Sequence, residues 1–148
     1  MIMNNLNGKT ENRRSRDQEF LQLYTAALKL MIDRRVRHPR KAAIAFTIHN
    51  GTPHYHVSYE RAYEVVRQLL AGKQPLRPSL QAQMWEEITD RVRKLMTDRR
   101  ISIAVALDFV LQHCRASRFF ISEAYARVST YRAMKERRMR LMHKSFNA

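Results

Sequence analysis

The chain has 148 residues, 45% of them hydrophobic, which is enough for one domain or for two small halves sharing a core. Lys and Arg number 28 against 13 Asp and Glu, a formal net charge of +15. No run approaches the roughly 18 apolar residues of a membrane span, the polar N-terminus lacks a signal peptide's apolar centre, and a single cysteine excludes an internal disulfide framework. We therefore expect a cytoplasmic protein that does not enter a membrane.

The first 16 residues are rich in Asn and charged side chains and contain almost nothing to bury. This composition predicts a flexible basic arm over residues 1–16. Its arginines, Arg13, Arg14 and Arg16, would contact phosphates if a nucleic acid binds. The alternative is a solvated terminus, since exposed runs of charge often serve only to keep a chain soluble.

Residues 17–72 form the first predicted structural unit. Apolar side chains recur at helical spacing over about 17–37 and again over 40–50, which predicts two helices. A short extended piece follows, and Ser58 is suited to cap a third helix that ends near Leu70.

A linker is predicted at residues 73–78, where two prolines follow Gly72. Residues 79–148 then repeat the same order of elements. A helix follows Ser79, a strongly apolar segment covers 102–113, and an extended piece leads to a last helix. The apolar segment alone would also suit a buried strand, but its length favours a helix.

Sequence matches between the two units indicate an internal duplication. Lys29–Arg35 reads KLMIDRR and Lys94–Arg100 reads KLMTDRR, so the two words differ at one position. Further matches follow in the same order: Ala43–Ile48 with Ala106–Leu111, and Tyr55–Ser58 with Phe119–Ser122. We predict an all-α fold with two similar three-helix halves in one compact domain, and a short two-stranded ribbon where the extended pieces meet. Phe46 and Phe109 are expected in the core.

The charge points to a polyanionic partner, because so large an excess of cations repels itself unless it is neutralised. Nucleic acid is the leading class, with DNA favoured over RNA. The last helix carries cations all around its surface, so it is not expected to pack fully against its own domain. The candidate nucleic-acid-binding residues are Arg118, Arg127, Arg132, Lys135, Arg137, Arg138, Arg140 and Lys144, together with Arg13, Arg14 and Arg16 of the arm.

A structural or adaptor role is the alternative function. The last helix also contains Met134, Met139 and Met142, and flexible methionines suit docking to an acidic protein partner or into a nucleoprotein assembly. The sequence leaves open whether copies of the chain self-associate.

The sequence indicates no catalytic, metal or cofactor site. His54 and His56 have a spacing that could chelate a metal, but no further ligands complete a closed site. Cys114 follows a histidine without an identifiable orienting residue. No phosphate-binding glycine loop and no nucleophile elbow occurs. We therefore expect a protein that is not an enzyme and that needs no cofactor.

Overall fold

The protein is described by a computed structural model that covers residues 2–73 and 77–147, with side chains described from Thr10 onward. This part of the chain contains six α-helices and no strand, so the predicted all-α class is confirmed. The helices are α1 (Ile2–Asp33), α2 (Pro39–Asn50), α3 (Tyr59–Leu70), α4 (Leu80–Arg99), α5 (Ile103–His113) and α6 (Glu123–Phe146). Of the predicted linker 73–78, residues 74–76 lie outside the described residues.

Serine caps begin four of these helices. Ser58, Ser79, Ser102 and Ser122 each precede a helix, and each hydroxyl accepts a hydrogen bond from the backbone N–H three residues on. Such a bond satisfies one of the four N–H groups that the first turn of a helix leaves without an internal partner. The starts of α3 to α6 therefore follow from the sequence.

The predicted start of the first helix at Asp17 is wrong. Helix α1 begins at Ile2, so the backbone of residues 2–16 is helical and continuous with the following turns. No proline interrupts this segment, and extending an existing helix costs far less than nucleating a new one. A segment without a core of its own can therefore continue the helix.

The helices form two hydrophobic cores, and the third helix of each half of the chain packs into the core of the other half. The first core joins α1, α2 and α6, around Phe20, Ile48 and Phe119. The second core joins α3, α4 and α5, around Trp85 and Leu107. Each core thus takes two helices from one half of the chain and the third helix from the other half.

The two extended pieces, which pass from one core to the other, do not form the predicted ribbon, and that prediction is wrong for the described residues. The Ala116 N–H donates to the Pro53 carbonyl at 2.8 Å, and the Phe119 N–H donates to the Ile48 carbonyl at 2.9 Å. Pro53 has no N–H with which to continue a ladder. In addition, Tyr55 is buried in the second core and Phe119 in the first, so the two pieces diverge.

The predicted burial of Phe46 and Phe109 is also wrong. Their exposed fractions are 44% and 46%. Helix α2 buries Ala43, Ile44, Thr47 and Ile48, and α5 buries Ala106, Leu107 and Val110. Both helices pack along one side only, and the phenylalanine lies on the other side. An apolar composition alone does not show how many sides of a helix are covered.

Candidate nucleic-acid interface

Helices α1 and α6 are fixed to one another by a polar contact near the first core. The Tyr125 hydroxyl donates a hydrogen bond to Oδ2 of Asp17 at 2.8 Å. The Arg16 guanidinium contacts Asp17 at 3.4 Å and lies 5.1 Å from the centre of the Tyr125 ring. Burial and the hydrogen bond to Asp17 raise the pKa of Tyr125, so the hydroxyl keeps its proton at neutral pH. Arg16, predicted to contact phosphate, is engaged in holding the two helices together.

A cleft of about 1350 Å³ lies between α1 and α6. We call it the α1–α6 cleft. It brings together six of the predicted cations from the two ends of the chain: Arg13, Arg14, Arg132, Arg137, Arg140 and Lys144. Two carboxylates also line it. Asp17 accepts from Tyr125, and Glu136 lies 3.7 Å from Arg140 in an exposed ion pair. Positive charge therefore dominates the walls of the cleft.

Helical geometry explains why four α6 cations share this cleft. Residues 132, 136, 140 and 144 are four apart and follow one stripe of the helix, and residue 137 flanks it. Apolar side chains complete the lining, among them Val128 and Leu141, which are exposed, and Phe20, which belongs to the first core. The lining of the cleft thus combines cationic and apolar side chains.

The remaining predicted residues lie elsewhere. Arg127, Lys135 and Arg138 are exposed but do not line the cleft. Arg118 is half-buried; its Nε–H donates to the Phe119 carbonyl at 3.0 Å, and its guanidinium lies 5.8 Å from the centre of the Phe120 ring. The sequence could not show which cations line the cleft and which do not, because this depends on the side of α6 against which α1 lies.

A polar cluster on the second core was missed by the sequence reasoning. The Tyr55 hydroxyl donates to Oε2 of Glu87 at 2.6 Å and accepts from Arg91 at 2.8 Å. Arg91 also donates to the Arg115 carbonyl. Burial and the hydrogen bond to Glu87 raise the pKa of Tyr55, so the hydroxyl remains protonated. The cluster links both extended pieces to α4, and no residue spacing in the sequence predicts it.

The histidines considered as a chelating pair both contact Glu19 of α1. His54 approaches Oε2 through Nδ1 at 2.8 Å and donates its backbone N–H to Oε1 at 2.9 Å, while Nε2 of His56 lies 3.1 Å from Oε1. Burial raises the pKa of Glu19, but these hydrogen bonds outweigh it and the net shift is downward. In the described residues, no group of three or more His, Cys, Asp and Glu side chains is arranged to hold a metal ion.

No helix in residues 2–73 and 77–147 combines the length and apolarity needed to cross a bilayer. No protein-family model, curated protein or solved structure matches the chain.

Proposed function

We propose that the protein is a non-enzymatic DNA-binding protein of the cytoplasm, with a regulatory or accessory role. The α1–α6 cleft is its interface with DNA. The observation that carries this proposal is the convergence of six cations, from opposite ends of the chain, on one cleft. Arginine forks match phosphate oxygens in pairs, and each phosphate that is neutralised releases counterions. Binding would also relieve the self-repulsion of a chain with a net charge of +15.

We further propose that the two halves arose by duplication of one unit. Arg35 and Arg100, at the same place in the repeated word, both adopt left-handed backbone, with φ of 54° and 51°. Ala62 and Ala126, the fourth residues of α3 and α6, are both fully buried. Non-glycine residues seldom adopt positive φ, so its recurrence at matching positions supports a common origin.

The duplication bears on function because the two helices that line the cleft, α1 and α6, are longer than their counterparts in the other half. Helix α3 ends at Leu70, whereas α6 continues to Phe146, and α4 begins at Leu80, whereas α1 begins at Ile2. The additional turns of α1 and α6 contribute no residue to the buried part of either core, within the side chains described. Their cations therefore have no evident role in folding, which supports a role in binding.

Two double variants on α6 test the interface. Arg132→Gln with Arg137→Gln removes two cations from the cleft, and Lys135→Gln with Arg138→Gln removes two from elsewhere on the same helix. We expect the cleft variant to flatten the slope of log affinity for duplex DNA against log salt by about 2, since each contact contributes about 0.9. The control variant, with the same net charge, should change the slope by less than 1 unit. Equal effects of the two variants, or no binding of DNA by the unmodified protein, would overturn the proposal.

An adaptor function remains the second candidate, favoured by the apolar side chains on the last turns of α6. Met139, Leu141 and Met142 are all exposed, and their flexible side chains suit an acidic protein groove. The double variant Met139→Ser with Met142→Ser separates the two functions. Unchanged DNA affinity together with loss of a co-purifying protein partner would favour the adaptor.

A further inference from the structure

Helix α5 is the one described helix that contains neither Lys nor Arg. On its outer side, Val105 is 57% exposed and Phe109 lies one turn further on. Two tyrosines of α3 extend this surface. The Tyr59 hydroxyl donates to the Ala104 carbonyl at 3.1 Å, and the rings of Tyr59 and Tyr63 stack with centres 6.1 Å apart. We call Tyr59, Tyr63, Val105 and Phe109 the α3–α5 apolar face.

The first core shows that the fold does not need apolar side chains at most of these positions. In the repeat alignment, Glu123 and Arg127 of α6 correspond to Tyr59 and Tyr63. Likewise, Ala42 of α2 corresponds to Val105. The first core forms with charged or small residues at these positions, whereas the helices of the second core expose large apolar ones. Contiguous exposed apolar side chains commonly mark a contact with another molecule.

We propose that the α3–α5 apolar face is the contact between two copies of this chain. Two molecules that each carry a net charge of +15 repel wherever cations meet, and α5 brings no Lys or Arg to the contact. On α3, Arg61 pairs with Glu64 at 3.6 Å, which leaves Arg67 as the other cation of that helix. An acidic partner or a polyanion would instead be drawn to the cationic surfaces. A twofold contact sets the same patch of each copy against the other, so Val105 and Phe109 of both copies are buried at once.

The dimer leaves the α1–α6 cleft open, because none of the four residues of the apolar face lines the cleft. A dimer would therefore present two cationic clefts. Dimer formation does not depend on what the clefts bind, and it can be measured without nucleic acid.

A matched pair of variants tests the contact by sedimentation equilibrium in salt high enough to screen the net charge. The two phenylalanines, Phe46 and Phe109, occupy corresponding positions and are almost equally exposed. We expect the unmodified chain to form dimers at micromolar concentration. Phe109→Ser should raise the dissociation constant about a hundredfold, because the dimer loses two buried side chains worth about tenfold each. Phe46→Ser should leave it unchanged.

Val105→Ser provides a second variant, and circular dichroism on each variant verifies folding. Since Val105 is more than half exposed, this change should leave the fold intact and weaken the dimer in the same direction as Phe109→Ser. A chain that remains monomeric at every concentration would overturn the proposal. So would a dimer that Phe46→Ser weakens as much as Phe109→Ser.

Discussion

Replacing Phe119 with alanine tests the exchange of third helices between the cores. Phe119 is 1% exposed, and its ring meets that of Phe20 edge to face, with centres 5.1 Å apart. It also covers Gly51, where a β-carbon would come within 2.7 Å of the ring. Truncating a buried phenylalanine costs about 3–5 kcal/mol, and the loss of an aromatic pair places this site toward the upper end, at about 4–5 kcal/mol.

Urea denaturation measures this loss. With a denaturant dependence of about 2 kcal/mol per molar, Phe119→Ala should lower the unfolding midpoint by about 2 M. Phe46→Ala is the control with the same chemical change, and we expect it to cost about 1 kcal/mol or less because that side chain is 44% exposed. A loss below about 1 kcal/mol for Phe119→Ala would refute the core assignment.

Hydrogen exchange on the same variant locates the damage. Phe119 follows α5 in the chain, but it packs against α1 and α2. We therefore expect lost protection in α1, α2 and α6, with α3, α4 and α5 retaining more of theirs. Loss confined to α4 and α5, the neighbours in sequence, would contradict the exchange.

Three further perturbations have defined outcomes. Truncation after Thr130, the last buried residue of α6, should preserve the far-ultraviolet dichroism per helical residue and reduce the salt slope of DNA binding by about 3.6, for four lost cleft cations at about 0.9 each. The pKa of Glu19 is lowered in the folded state, so its ionised form stabilises the fold above the unfolded pKa, and this stability is lost as the pH falls through the folded pKa. Urea midpoints measured against pH should therefore fall less on the acid side for Glu19→Gln than for the unmodified protein. Tyr55→Phe leaves Glu87 without its 2.6 Å donor, and chemical denaturation should show a loss of about 1–3 kcal/mol.

Local features of this fold could be read from the sequence, and the long-range ones could not. The caps at Ser58 and Ser122 depend on a side chain and a backbone N–H three residues away, so spacing predicts them. The exposure of Phe46 depends on how many helices pack against α2, which no periodicity records. The contact of Phe119 with Phe20 likewise requires knowing that each extended piece passes from one core to the other.

The candidate site divides in the same way. Composition was sufficient to identify the cations of α6, because their number does not depend on the fold. Composition could not show which of these cations group together. Arg132 lines the cleft and Lys135 does not, because α1 packs on the side of α6 that carries Arg132. The part of α1 from Thr10 to Leu21 provides the second wall of the cleft. The polar composition of the first 16 residues did not predict that the helix would extend through them.

The exchange of third helices also sets an order for folding during synthesis. The second core uses α3, α4 and α5, which are consecutive in the chain, so it can close while the ribosome is still adding α6. The first core needs α1 and α2, which precede the second core in the chain, and α6, which follows it. Helices α1 and α2 can pack on each other before α6 exists, but the parts of Phe20 and Ile48 that Phe119 and α6 cover stay open until then. Their closure requires contacts of long sequence separation, which form slowly. The nascent chain is thus exposed to aggregation around α1 and α2 until α6 is complete.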